Sequence, residues 1–71
     1  MEIIILRTNI NSLYDFNSIR YKLIDTYNIS ECTIDLEDKD KVVRIVGNNI
    51  KLNYLADKIK SYGFSCEELD D

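Results

Sequence analysis

Histidine and proline are absent from this 71-residue sequence, which contains only two cysteines and two glycines. Without histidine there is no imidazole base and no Ser-His or Cys-His pair, and there is no glycine-rich phosphate loop. The sequence therefore predicts a protein that is not an enzyme. Because proline is missing, no kinked helix or rigid linker is expected. Two cysteines without histidine are typical of a reducing compartment, so we expect a cytoplasmic location.

Long hydrophobic runs and an excess of positive charge are also missing. The apolar run Ile3–Leu6 is short and follows no basic segment, so neither a signal peptide nor a membrane span is expected. Nine basic residues are scattered among thirteen acidic ones, and the net charge is −4. Nucleic-acid affinity depends mainly on Lys and Arg. We therefore expect neither nucleic acid nor an anionic membrane as a partner.

Apolar residues make up 45% of the chain, which is typical of a globular protein, and the length predicts a single domain over residues 1–71. Four segments have the β-branched composition or the alternation of strands. They cover roughly residues 2–9, 32–37, 42–46 and 64–69. A polar turn, residues 38–41, separates the second strand from the third.

Apolar residues at steps of three and four predict two helices between these strands. They are Leu13, Phe16, Ile19, Leu23, Ile24 and Tyr27 in the first helix, and Leu52, Leu55, Ala56, Ile59 and Tyr62 in the second. Ser12 is placed to cap the first helix, and Asp15 gives a variant of the capping box. Lys51 is a poor start for the second helix, so we expect Asn48 or Asn49 to cap it.

The corner between helix and strand has a similar sequence in both halves of the chain. Tyr27-Asn28-Ile29-Ser30 returns 35 residues later as Tyr62-Gly63-Phe64-Ser65. Asn28 and Gly63 both suit the left-handed residue that ends a helix. Two βαβ halves joined by a hairpin predict the α+β class and a ferredoxin-like βαββαβ sandwich. Its four antiparallel strands take the order 4-1-3-2, with two helices on one face.

Several short segments, in a fixed order, give the chain a family resemblance. They are Thr8-Asn9-Ile10, Ile19 and Leu23, Asp35-Leu36-Glu37, Lys41-Val42-Val43, Gly47, Gly63-Phe64 and Glu67-Glu68-Leu69. This series resembles the heavy-metal-associated domain, the fold of copper chaperones and of metal-binding domains in transporters. The resemblance spans nearly the whole chain.

The metal-binding positions of that family carry other residues in this chain. The family has Cys-x-x-Cys in the loop after the first strand, and the two thiolates bind a soft metal. Matching through Thr8-Asn9-Ile10 puts Ser12 and Asp15 at these positions. Cu(I) and Zn(II) sites of this type require sulfur or imidazole ligands. The resemblance therefore implies a degenerate member with no metal ligands and no cofactor.

The two cysteines are expected to be free thiols. Cys32 and Cys66 fall at inward-facing positions of the second and fourth strands, which are opposite edges of the predicted sheet. Three strand spacings separate these edges by roughly 14 Å. A disulfide requires Cα atoms within roughly 7 Å. We therefore expect two separate, buried thiols with a structural role.

The sheet face opposite the helices, here called the open face, is the candidate interaction surface. Alternation sends Ile3, Ile5, Val42 and Val46 to it, with Arg7, Arg44 and Asp35 at the border. An apolar patch of this kind marks an interface for a homodimer or for a protein partner. The opposing interpretation is that β-branched residues are simply favoured on strands. An RNA-recognition motif is excluded, because it requires aromatic residues on the first and third strands.

The sequence thus predicts an association domain, non-catalytic and cytosolic, that binds a protein or a second copy through the open face. The interface candidates are Ile3, Ile5, Val42, Arg44 and Val46. The alternative is a weak metal-ion or small-ligand binder that uses loop 9–15. In that case Asn9 and Asn11 would provide hydrogen bonds to the ligand.

Overall fold

The computed structural model describes residues 1–26 and 28–69, without the side chain of Thr26. Six elements follow one another along the chain: β1 (Glu2–Thr8), α1 (Leu13–Thr26), β2 (Ile29–Asp35), β3 (Val42–Gly47), α2 (Leu52–Ser61) and β4 (Cys66–Glu68). The predicted βαββαβ order is therefore confirmed. Tyr27, which the sequence places on the first helix and at the repeated corner, lies outside the described residues.

The four strands form one antiparallel sheet in the order β2-β3-β1-β4, which confirms the predicted order 4-1-3-2. Ile4 lies opposite Ile45 and Leu6 opposite Val43 in the two central strands. These four side chains are buried together with residues of both helices. The core is therefore a single layer between the sheet and the helices, as expected for a ferredoxin-like α+β sandwich.

The first helix begins as the sequence predicts, with one difference at its first residue. The Asp15 N–H donates to Ser12 Oγ at 3.1 Å, so Ser12 is the N-cap. Leu13, predicted on the buried face, is instead 59% exposed. Ile10 in the preceding loop is buried, so this residue rather than Leu13 contributes to the core here.

The second helix begins without the predicted asparagine cap. Lys51 is its N-cap residue and makes no side-chain capping bond. Asn49 instead occupies a left-handed turn position with φ of 53°, a conformation that Asn tolerates better than most residues. The Ile50 N–H donates to Glu2 Oε1 at 3.0 Å, so β1 satisfies a donor just before the helix.

The end of α2 confirms the predicted glycine. Gly63 has φ of 91°, and its N–H donates to the Lys60 carbonyl at 2.9 Å. β4 is shorter than expected and starts at Cys66 rather than Phe64. The Ser65 N–H donates to Asn9 Oδ1 at 2.8 Å, so this residue is held by the first loop before the strand pairs with β1.

Within residues 1–26 and 28–69, neither helix has the length and apolarity needed to cross a bilayer.

Candidate functional site

The loop after β1 is anchored at its first residue. Thr8 is buried, and its Oγ1 donates to the Lys41 carbonyl at 2.7 Å and accepts the Ile10 N–H at 3.3 Å. The Thr8 N–H also donates to the Asp40 carbonyl at 3.0 Å. The loop therefore leaves the sheet in a fixed direction, tied to the turn between β2 and β3. A buried hydroxyl with two partners also avoids the cost of an unsatisfied polar group.

The polar atoms inside loop 9–15 are used to hold the chain. Asn9 Oδ1 accepts the Ser65 N–H, and Ser12 Oγ accepts the Asp15 N–H. Both acceptors therefore stabilise backbone N–H groups, one in the α2–β4 loop and one in the first turn of α1. The carboxylate of Asp15 lies in that same first turn, where the positive end of the helix dipole favours a negative charge.

The donor set of the loop does not fit a soft metal ion. Ser12 and Asp15 offer a hydroxyl and a carboxylate, whereas Cu(I) and tetrahedral Zn(II) sites are built from thiolate or imidazole. In the two described stretches, no three Cys, Asp or Glu side chains are grouped so that they could hold a metal ion. The arrangement can cap a helix and fix a loop, and residues 9–15 contain neither a thiol nor an imidazole.

The cysteines lie where the sequence places them, on opposite edge strands, and both are free. Cys32 on β2 is 2% exposed, and burial raises the pKa of its thiol to about 11, although the charge of Arg20 acts in the opposite direction. Cys66 on β4, which was predicted to be buried, is only half-buried, and desolvation raises its pKa as well, against the charge of Lys60. Both thiols are protonated at neutral pH and are weak nucleophiles.

The buried thiol of Cys32 predicts a loss of stability in alkaline solution. Its pKa lies above the ordinary value of 9.0, so the unfolded chain loses this proton first as the pH rises. The stability that the protonated, buried thiol provides is intact below about pH 9 and is lost towards about pH 11. The loss is about 3 kcal/mol in the free energy of unfolding. Denaturant titrations across this range should show a steeper pH dependence for the natural protein than for Cys32→Ala. Equal slopes would contradict the assignment.

The strand register places all the interface candidates on the open face. Ile3 lies opposite Val46 and Ile5 opposite Arg44. Ile3 is 53% exposed, while Ile5 and Val42 are half-buried. Val46, expected in the accessible patch, is only 6% exposed. It lies between Ile3 on β1 and Glu31 on β2, next to the irregularity in the β2–β3 register, so these neighbours cover it.

Charged residues border the open face on both sides. Arg7 Nε lies 3.3 Å from Asp40 Oδ1, and Arg7 Nη1 lies 3.5 Å from Glu67 Oε1. These two ion pairs join β1 to the β2–β3 turn and to β4. On β2, Glu31 and Thr33 lie opposite Val46 and Arg44. The sequence interpretation included neither Glu31 nor Thr33 in this surface. It began the second strand at residue 32, which left Glu31 out, and it placed only Asp35 of this strand at the border. The alternation of Glu31, Thr33 and Asp35 would have revealed them.

A second contact that sequence reasoning missed joins the two helices. The Lys22 ammonium of α1 lies 4.8 Å from the centre of the Tyr62 ring, and the Lys58 ammonium of α2 lies 5.7 Å from it. Cations at such distances are attracted to the ring. Tyr62 therefore connects the helices on the side of the molecule away from the open face.

Comparison with solved structures decides the fold. The yeast copper transporter domain Ccc2A, solved in apo and Cu(I)-loaded states, superposes with a TM-score of 0.85 over 100% of this chain and 99% of its own. The chain has the heavy-metal-associated fold. A copper-binding domain from HMA7, a P-type ATPase, gives a TM-score of 0.80 with 99% and 96% of the two chains covered. The N-terminal domain of PacS from Synechocystis gives 0.77, with 99% and 100% covered.

The sequences of these three structures differ at most positions from this chain. Identity is 22% with Ccc2A, 19% with the HMA7 domain and 13% with PacS. No family model matches the sequence. No curated protein matches it either. The likeness is therefore one of fold, and the chemistry of loop 9–15 has to be argued from its own residues.

Proposed function

We propose that this heavy-metal-associated-like chain is a non-catalytic association domain. Its open face binds a second copy or another protein, and loop 9–15 holds no soft metal ion. The observation that carries the proposal is the uncovered centre of the sheet, where Ile3 is 53% exposed on a central strand. Both helices pack on the other side, so no element of the described chain covers this residue.

The loop supports the absence of a metal role. Ser12 and Asp15 stand where the family has its cysteine pair, and the Ser12 hydroxyl already accepts the N–H of Asp15. To coordinate a cation through Ser12 would compete with this cap, which contributes about 1 kcal/mol to helix stability. Asn9 is likewise engaged by Ser65, so the alternative of a ligand site in this loop has less support than the open face.

The character of the open face suits weak and specific association. Ile3, Ile5 and Val42 provide a narrow apolar centre, and Arg44 is exposed beside it. A small apolar centre with a charged border is typical of protein interfaces, because charge complementarity fixes the register of the partners. The limited exposed apolar area predicts a weak complex rather than an obligate one.

Measurement of mass in solution tests the self-associating form. Sedimentation of the natural chain at increasing concentration should show a rise in mean mass, and Ile3→Lys should remain a monomer because a charge replaces the apolar centre. Leu13→Lys is the matched control, since Leu13 is 59% exposed and lies on the helix that packs on the other face. A monomer mass for all three proteins up to about 1 mM would exclude self-association at any useful affinity.

A further inference from the structure

The free edge of β2 is a second surface with recognition chemistry. β2 has seven residues, whereas β4 at the other edge has three. The Leu69 N–H donates to the Ile5 carbonyl, so the backbone groups of Ile5 point towards β4 and those of Ile4 and Leu6 towards β3. Alternation through the register then directs the N–H and C=O groups of Cys32 and Ile34 outward, away from β3.

One of these outward groups is already occupied by a side chain of the first helix. Arg20 Nε donates to the Cys32 carbonyl at 3.0 Å. A strand that paired with this edge would have to displace the guanidinium group. The register of β2 is irregular between Ile29 and Glu31, at the N-terminal end of the same edge. Natural sheets protect their edges with such bulges and with charged side chains.

The side chains beside this edge select a particular type of strand. Glu31 and Asp35 project on the open-face side and are exposed, and the ion pairs of the described residues do not include them. Ile34 is half-buried on the opposite, helix-facing side. An incoming strand would therefore meet acids on one face and an apolar side chain on the other. This favours a segment in which basic and apolar residues alternate.

The same pattern disfavours a second copy at this edge. An antiparallel pairing centred on Thr33 would place Glu31 of one chain opposite Asp35 of the other, because the register is symmetric about the centre. Like charges directly opposite each other destabilise a strand pair. The chemistry of the edge therefore fits a basic partner better than itself.

We propose that the β2 edge is a strand-docking surface for an extended protein segment that alternates basic and apolar residues. In the unbound protein Arg20 blocks this edge through its hydrogen bond to the Cys32 carbonyl. Binding adds a fifth strand through the outward groups of Cys32 and Ile34, after Arg20 leaves the Cys32 carbonyl. Glu31 and Asp35 border both surfaces, but the outward backbone groups of Cys32 and Ile34 are separate from the apolar centre of the open face, so each proposal can fail without the other.

A synthetic peptide of about ten alternating Lys and Val residues, the length of a long strand, provides the test. Titration into isotope-labelled protein should shift the amide signals of Cys32 and Ile34 most. Arg20→Ala should tighten binding about fivefold, because the peptide no longer competes with the hydrogen bond to the Cys32 carbonyl. Lys22→Ala is the matched control, since it removes a cation from the same helix without touching the edge. The combined change Glu31→Gln and Asp35→Asn should weaken binding, whereas Glu68→Gln on β4 should not.

Four results would overturn the proposal. The first is a peptide of alternating Glu and Val that binds equally well, and the second is that the largest shifts fall on β4 or on the open face. The third is that Lys22→Ala and Arg20→Ala tighten peptide binding equally, which would show that Arg20 acts only through its charge. The fourth is a protein with both Ile3→Lys and Arg20→Ala that sediments as a dimer without peptide, because its open face is blocked and the edge would then be assigned to a second copy.

Discussion

Replacement of both Ser12 and Asp15 by cysteine is expected to give a variant that binds one Cu(I) ion per chain, whereas we expect the natural chain to retain none. The two positions lie on the loop and first turn that follow β1 in a heavy-metal-associated fold. Two thiolates supply the soft ligands that the present hydroxyl and carboxylate do not. The N-terminal end of α1 also favours the thiolate form at position 15, since it lowers the pKa of a cysteine there.

Competition with a chromophoric Cu(I) chelator measures this gain. Ser12→Ala combined with Asp15→Ala is the control, which should bind no metal and lose about 1 kcal/mol of stability with the helix cap. Stoichiometric retention by the natural chain would contradict the proposed function. A folded double-cysteine variant that retains no ion would show that loop 9–15 does not correspond to the metal loop of the family.

Gly47→Ala is expected to be the most destabilising change of a single small residue. A Cβ at this position would collide with the backbone carbonyl oxygen of Asn28 and lie 2.9 Å from Cδ1 of Ile50. Since Asn28 also accepts the N–H of Asn48, the carbonyl has little freedom to move. We expect a loss of about 3 kcal/mol in the free energy of unfolding. For a domain of this size the melting temperature would fall by roughly 15 °C.

The other glycine provides the matched control. Gly63→Ala places a Cβ where no atom lies within 4 Å, so its cost arises only from φ of 91°. About 1 kcal/mol is expected for an alanine in this left-handed conformation. Calorimetry or denaturant titration of the two variants should therefore separate collision from backbone strain. Equal losses would show that the Asn28 carbonyl moves away more easily than its hydrogen bond suggests.

Local patterns were sufficient to predict the element order, the sheet order and most of the core. Steps of three and four residues placed Phe16, Ile19 and Leu23 in the core, where they are buried. The prediction of an asparagine cap for α2 was wrong. Asn49 occupies a turn, and Glu2, which is distant in sequence, accepts the Ile50 N–H. Such a contact between distant segments leaves no periodic signal in the chain.

The surfaces were less predictable than the fold. Alternation assigned Val46 to the open face, but its accessibility depends on Ile3 and Glu31, which only the register brings beside it. The contact between Arg20 and the Cys32 carbonyl was missed for a similar reason. It depends on the way α1 crosses β2, and an arginine on the exposed side of a helix pattern is ordinarily solvated.

The bonds made by Thr8 have a consequence for motion. Its hydroxyl and amide join the first residues of loop 9–15 to the carbonyls of Asp40 and Lys41. The loop lies in the first half of the pseudo-symmetric chain and the turn joins the two halves, yet neither segment can open without breaking bonds to the other. Local unfolding of the loop is therefore coupled to that of the turn, and a partner bound at the 38–41 turn would also restrain the loop.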